Sequence, residues 1–405
     1  MDIKNIKKDF PIFKQQINGK PLVYLDSANS SQKPKVVIDR ISHFYETEFS
    51  NVGRSVHALA VKATNSFEAT RDKVQKYLNA NHREEIIFTK GATEAINLVA
   101  SSYGKKYINK GDEILITELE HHSNYVPWNF LRTEKGAVIK FAQVNENGDV
   151  ELDEIKKLIT SKTKIIAITH ISNVTGAVLP ITKIVDLAKE KKIPVLIDGT
   201  QGAPHSEIDM QKIGCDFYAI SCHKMYGPNG LGLLYMKKKW VDDLPPYQGG
   251  GGMINEVKKD EISFADAHTK FEAGTMQTAE VVAFAESLNF IEKLGIKNIA
   301  SHENEILQYG LEILKKNNSI NIIGDPKERG SVLCFTLKDI HPHDIATILD
   351  DDGVAIRAGH HCCQILHDKL GIPATARASI GVYNDKEDID KLSDAIKNCQ
   401  KVFQN

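Results

Sequence analysis

The chain has 405 residues, 41% hydrophobic and 26% charged, which is long enough for two domains around a sizeable core and ordinary for a globular protein. With 51 Lys+Arg against 53 Asp+Glu, the formal charge of -2 offers no basic face for nucleic acid, and the run Lys237-Lys238-Lys239 reads as solvated surface. The amino terminus has no signal-peptide core, no apolar run is long enough to span a membrane, and six cysteines without a Cys-x-x-Cys pair make no disulfide framework; a cytoplasmic protein with reduced thiols is expected.

In chain order, Ile86-Ile87-Phe88-Thr89 ends a strand and Gly91-Ala92-Thr93-Glu94 opens an apolar-periodic helix through Ile96, Leu98 and Val99. Such a junction presents backbone donors and a hydroxyl to a phosphate, although Gly91 also suits a plain turn and Thr93 a plain cap. Strand-like runs follow at Glu113 to Thr117, Val138 to Val144, Lys164 to His170, Pro194 to Asp198, Phe217 to Ile220 and Gly230 to Met236. Helical spacing fills intervals such as Leu152 to Leu158 and Ile184 to Lys189, giving the order of an α/β protein with a parallel sheet. Ligands of such sheets sit beyond the carboxyl ends of strands, where Glu120-His121-His122-Ser123-Asn124, Asp198 and Lys224 all fall.

Near Gly249-Gly250-Gly251-Gly252 the pattern lapses into a loop to about Thr278. Helices are then predicted over Ala279 to Leu294 and Ala300 to Lys315, a strand over Ser331 to Leu337, a helix over Asp344 to Leu349, a short strand into Arg357, and a closing helix from about Lys386. The expected division is an arm of residues 1–20 packing on the small domain, a large α/β domain of residues 21–278, and a small α+β domain of residues 279–405. No repeat or low-complexity tract interrupts it.

The chemistry centres on Ser221-Cys222-His223-Lys224, between a buried strand and the Gly-rich stretch Gly227 to Gly232. A lysine amine at a strand end can hold a carbonyl cofactor as a Schiff base if burial and neighbouring charge leave it partly deprotonated. Upstream, Val195-Leu196-Ile197-Asp198 ends a strand in a carboxylate, which is what a pyridoxal phosphate enzyme sets against the pyridinium nitrogen. Asp198 alone reads equally as a helix cap. The phosphate-type junction, the carboxylate and the lysine in that order favour a cofactor site.

Arg357-Ala358-Gly359-His360-His361-Cys362-Cys363-Gln364 is the second landmark. A cysteine beside histidines on a glycine turn suits a nucleophile, since a nearby imidazolium lowers a thiol pKa. Contiguous His and Cys cannot easily wrap a tetrahedral ion, so no metal is assigned. Cys399, Cys334, Cys215 and Cys222 read as packing residues, whereas Cys363 stays open. Arg377, entering an apolar strand, needs an anion: either a substrate carboxylate or an internal Asp or Glu.

Together the motifs resemble the class V aminotransferase-like, fold type I pyridoxal phosphate enzymes, and among them the SufS-type (group II) cysteine desulfurases. The resemblance runs along essentially the whole chain: Tyr24-Leu25-Asp26-Ser27-Ala28, Gln32-Lys33-Pro34, Thr89-Lys90-Gly91-Ala92-Thr93-Glu94, Glu120-His121-His122, Val126-Pro127-Trp128 and His170-Ile171-Ser172-Asn173-Val174. Asp198-Gly199-Thr200-Gln201, Ser221 to Pro228, Phe271-Glu272-Ala273-Gly274-Thr275 and Arg357 to Cys362 complete it. It implies a large domain with a mostly parallel central sheet plus a smaller α+β C-terminal domain.

It implies further that Lys224 carries the cofactor, Asp198 pairs with its ring nitrogen, Gln201 bonds its phenolic oxygen and His121 stacks on it. Ala92, Thr93, Ser221 and His223 would hold the phosphate, with Thr275 reaching over from the partner in a homodimer. Asn173 and Arg377 match the positions that bind the substrate carboxylate, helped by Arg357. Cys362 would take sulfur from L-cysteine, with His121 as acid/base helper, leaving alanine and a persulfide for a SufE-like or SufU-like acceptor feeding iron-sulfur cluster assembly. Selenocysteine lyase and cysteine sulfinate desulfinase are the neighbouring reactions, and a metal-binding interaction scaffold the non-enzymatic alternative. Three positions depart from the family pattern: Gly53 for a usual histidine, Asn29 for a common alanine, and Cys363 for a frequent alanine.

Overall fold

Runs of aliphatic residues with no polar alternation can be buried only where a sheet is covered on both faces. The computed structural model, which describes residues 1–404, uses them that way. Its central sheet has seven strands: β1 Ile86–Thr89, β2 Glu113–Thr117, β3 Val138–Ala142, β4 Thr163–Thr169, β5 Val195–Asp198, β6 Phe217–Ser221 and β7 Gly232–Met236. Their order across the sheet is β1-β7-β6-β5-β4-β2-β3. Every residue of β1, β2, β5, β6 and β7 is buried.

The pairings from β6 across to β3 are parallel, whereas β7 runs antiparallel to both β6 and β1. Chain length explains the reversal. A parallel return needs a crossover of a dozen or more residues, and only the short stretch between Ser221 and Gly232 joins β6 to β7. That stretch carries Lys224, so the tight return holds the lysine at the sheet's carboxyl edge.

The expected loop from Gly249 to Thr278 contains a hairpin, Ile254–Val257 against Ile262–Phe264, and a 3-10 turn, Ala267–Phe271. The hairpin was hidden because its strands are solvated, with Val257 and Ile262 exposed. The next helices run Thr278–Leu294 and Ile296–Lys315, parted only at Gly295, whose φ of +81° ends the first helix.

A second sheet of four strands lies in the C-terminal part, ordered Ile320–Ile322, Val332–Leu337, Thr375–Ser379 and Arg357–Gly359, all antiparallel. Val23 and Tyr24 pair in parallel with Val354 and Ala355, and Val23 and Leu25 join the core formed by Leu333, Phe335, Ile345 and Ile396. Further upstream, Phe10 is buried edge-on against Phe290 and Tyr383, with ring centroids 5.5 and 4.9 Å away.

One buried ion pair ties the loop near Thr275 to the sheet. Arg71 is fully buried and grips Glu272 through two bonds of 2.8 and 2.9 Å while donating to the Ile86 carbonyl; Glu272 also accepts the Phe88 amide at 2.8 Å. Removing one partner strands the other charge out of water, at a cost of about 3–5 kcal/mol. Arg71→Met should therefore lower the denaturant midpoint markedly; an unchanged midpoint would show that the pair contributes nothing to folding.

Candidate active site

The carboxyl ends of β4, β5 and β6 stop at Thr169, Asp198 and Ser221; Thr169 is opposite Asp198, and Asp198 opposite Ala219, so β6 reaches two residues further. They open into a cavity of about 190 Å³ whose wall includes Ala92, Thr93, His121, Asn173, Asp198, Gln201, Ser221, His223, Lys224, Arg357 and Cys362. Eleven residues singled out from the sequence thus meet in one wall. Thr275 does not: it lines a separate hollow with Asn51, Val52, Gly53, Arg54 and Met276. Arg377 lies behind the wall, 1% exposed.

Lys224 ends the 3-10 turn Cys222–Lys224 directly after β6. The carbonyl of the preceding residue, His223, accepts the Ser31 amide at 3.1 Å, the Ser31 hydroxyl at 3.0 Å and the Lys33 amine at 2.8 Å. The turn is therefore pinned at the peptide that bears the lysine. Burial pushes the Lys224 amine down to about 8; Arg377 adds to this and Asp198 opposes it. At that value a useful fraction of the amine is unprotonated near neutral pH.

Asp198 is 4% exposed and accepts the Thr200 amide at 3.0 Å; burial raises its carboxyl pKa, with Thr200 and then Lys224 opposing. The adjacent Thr200 hydroxyl is buried without a hydrogen-bond partner and borders the same cavity. Gln201 donates to the Ala28 carbonyl at 2.7 Å. Ser221 accepts the Ala92 amide at 3.0 Å, and the Thr93 and Ser123 hydroxyls meet at 2.7 Å at the start of the helix Ala92–Tyr107. Gly232 permits that approach: a Cβ there would come within 2.4 Å of the Gly91 backbone.

His121 Nδ1 accepts the Ser123 amide at 3.1 Å, and burial, reinforced by Lys224, pushes the ring down to about 3. The ring is neutral at physiological pH, and the bond at Nδ1 puts its single proton on Nε2.

Cys362 is half-buried, and both it and His361 adopt left-handed backbone, φ +58° and +52°. Three bonds fix this turn: the His122 amide donates to the Cys362 carbonyl at 2.7 Å, Asn173 Nδ2 to the His361 carbonyl at 2.7 Å, and the Gln364 amide to His122 Nε2 at 3.1 Å. Of the two histidines before the thiol, His361 supplies no imidazolium. That ring is buried against the Thr375 hydroxyl and pushed down to about 2, chiefly by burial and then by Arg377. The cations in the cavity wall with the thiol are Lys224 and Arg357.

Cys363 faces the other way. It is fully buried, donates to Asn173 Oδ1 at 2.9 Å, and burial pushes its thiol well above the ordinary range. Arg377 has found an internal anion: Nη2 lies 3.2 Å from Asp26 Oδ1 and Nη1 donates to the Asn173 carbonyl at 3.0 Å, leaving Nε without a partner. Among the described residues no group of three or more His, Cys, Asp or Glu side chains is arranged to hold a metal ion, and no helix is long and apolar enough to cross a membrane.

The profile of the class V aminotransferases (Aminotransferase class-V) matches residues 23–392. The chain belongs to that family. Class V members generally depend on pyridoxal phosphate, and this member is 44% identical over 403 residues to a probable cysteine desulfurase of Halalkalibacterium halodurans, covering 100% of this chain and 99% of that one. A probable cysteine desulfurase of Staphylococcus epidermidis is 46% identical, with 99% and 98% covered. The crystal structure of the Escherichia coli cysteine desulfurase CsdA, in its S-sulfonic acid form, superposes with a TM-score of 0.92 at 34% identity over 99% of both chains. An apo cysteine desulfurase from Thermococcus onnurineus NA1 gives 0.93 at 32% identity over 98% of both.

Sequence reasoning gave no site role to Ser123, Thr169, Ile171 and Thr200 in the cavity wall, and marked Asn29 only as a departure from the family pattern. Ser123 and Thr200 lay inside quoted motifs and carried a signal, a hydroxyl beside an assigned residue. Of the six cysteines only Cys362 is not buried. Brief iodoacetamide treatment of the native protein should label that thiol alone by peptide mass mapping, and equal labelling of Cys363 would contradict the packing.

Proposed function

We propose that this class V family member is a cysteine desulfurase, converting L-cysteine to L-alanine and carrying the sulfur as a persulfide on Cys362. The observation that carries the reading is one cavity whose wall holds a half-buried thiol, Cys362, and a lysine amine lowered to about 8, Lys224, in front of a buried carboxyl, Asp198.

Pyridoxal phosphate fits this donor set. Lys224 would hold its aldehyde, Asp198 its ring nitrogen, Gln201 its phenolic oxygen and His121 its ring face. The helix start at Ala92 and Thr93, with Ser221 and His223, suits a phosphate, as unpaired amide groups at a helix start favour an anion. The unpartnered Thr200 hydroxyl gives the site a further donor beside Asp198. When bound, the cofactor supplies an electron sink for the substrate's α-carbon.

The remaining work falls to the protein. Arg357 and Asn173, in the cavity wall, meet and orient the substrate carboxylate, and Arg377, held by Asp26 behind the wall, adds positive charge. Lys224 in its unprotonated form takes the α-proton, which its lowered pKa allows without a separate base. The Cys362 sulfur then attacks the substrate sulfur: an S–S bond forms, the Cβ–S bond breaks, and its electron pair stays on the carbon that is protonated to give alanine. Neutral His121 offers its Nε2 proton, since its Nδ1 is committed to Ser123.

Thr275 lies away from this cavity, which supports a homodimer in which the partner's copy completes the phosphate site. The sulfur acceptor is proposed to be a SufE-like or SufU-like protein serving iron-sulfur cluster assembly in the cytoplasm.

Cys362→Ala should keep the visible absorbance of the bound cofactor and lose sulfide release from cysteine in the presence of reductant. Undiminished release would reject Cys362 as the nucleophile. If only cysteine sulfinate or selenocysteine yields alanine in the unmodified enzyme, the neighbouring reactions take its place. The lysine gives a pH test. Because the unprotonated amine grows as pH rises through about 8, the rate at which cofactor-free protein takes up pyridoxal phosphate should climb about tenfold from pH 7 to pH 9. A climb of about a hundredfold, that of an amine left at its ordinary value near 10.5, would contradict the lowered amine.

A further inference from the structure

Arg357 and Arg377 stand directly opposite each other on adjacent antiparallel strands. Like charges so placed repel, and each needs a counter-group. Arg377 has the Asp26 carboxylate at 3.2 Å, whereas Arg357 forms no ion pair among the described residues. Its guanidinium Nη1 donates instead to the side-chain oxygen of Asn29. The other end of that amide, Nδ2, donates to Asp26 Oδ2 at 3.0 Å. One carboxylate thus serves both arginines, directly on one side and through the Asn29 amide on the other. The amide's polarity is fixed by these partners, because its oxygen must face the guanidinium and its NH2 the carboxylate.

Asn29 and Arg357 both border the cavity that holds Lys224 and Cys362, and Asn29 is exposed at its mouth. An alanine at this position could accept nothing from Arg357, whose long side chain would be free to leave the wall. We propose that Asn29 is a positioning residue for substrate binding, holding Arg357 against the cavity so that its guanidinium meets the carboxylate of a small amino acid. The inference rests on the proposed reaction only for the identity of that amino acid. Asn29 acts through Arg357 and touches no reacting atom, so its loss raises KM more than it lowers kcat.

A double-mutant cycle tests this in the cofactor-loaded enzyme, read by the dissociation constant for L-alanine from the cofactor's absorbance and by KM and kcat for cysteine. Asn29→Ala should weaken L-alanine binding and raise KM about three- to tenfold, the scale of one ordinary solvent-exposed hydrogen bond, with kcat changed less than twofold. In an Arg357→Ala background the same substitution should change neither constant. Equal losses in both backgrounds, or a loss confined to kcat, would overturn the assignment. The binding arm separates the two readings. If the unmodified enzyme binds L-alanine but releases none from cysteine, the reaction falls while the cycle still decides Asn29. If L-alanine does not bind at all, both fall. Asn29 is exposed, and an unchanged melting temperature in Asn29→Ala is the check that the fold is intact.

Discussion

A lysine amine kept out of bulk water is the constraint on which this structure turns. Desolvation works against its charge, and two neighbouring guanidiniums work in the same direction, so the peptide that carries it must be held firmly. The hold comes from residues 26–33, a strap across the carboxyl edge of the sheet. Ser31 and Lys33 converge on the His223 carbonyl, and the Ser31 hydroxyl also takes the Tyr226 amide at 2.8 Å. Lys33 is itself pushed down to about 7 by burial, so the strap accepts a second desolvated amine in order to pin the first.

The same strap reaches two further sides of the cavity. The Ala28 carbonyl takes the Gln201 amide group beyond β5, and the Ala28 amide donates to the Ser379 hydroxyl in the second sheet at 2.9 Å. Asp26 meets Arg377, and Asn29 meets Arg357. One short segment therefore joins the lysine turn, the strand end bearing Asp198 and the sheet bearing both arginines. Positive charge in the cavity comes from Lys224 and Arg357, with Arg377 behind. The imidazoles nearby stay neutral, with His121 near 3, His223 near 4 and His361 near 2, each lowered chiefly by burial. Glu120, next to His121, is buried and raised to about 8, so it too adds little charge at neutral pH.

What could be read from the sequence was what repeats locally. β2, β5 and β6 were visible as largely apolar runs, and the residues at their carboxyl ends were found because that is where such sheets bind ligands. The direction of β7 was not visible in its composition, only in the length of the link before it. The exposed hairpin from Ile254 to Phe264 escaped because it buries too little to pattern its residues. The choice of anion for Arg377 lay beyond local reading, since Asp26 is 351 positions away. The thiol loop shows the sharpest difference. Two adjacent histidines suggested an imidazolium beside the thiol, yet the ring of His361 is turned into the Thr375 hydroxyl and desolvated, a consequence of packing between segments that adjacency in the chain does not disclose.

That inversion changes how the thiol must be understood. A left-handed turn at two consecutive non-glycine residues is costly and persists only where surrounding bonds over-determine it. Here those bonds come from Asn173 and His122, which belong to the large sheet's carboxyl edge, while the turn itself hangs from the second sheet. Asn173 also receives the Cys363 thiol, and its own carbonyl receives Arg377. The residue whose side chain holds the thiol turn is thus the one whose main-chain carbonyl fixes the arginine behind it. Thiol, guanidinium and strap are parts of one bonded network, so the spacing between thiol and lysine is set by the contact of the two sheets and not by the glycine turn that the sequence displays.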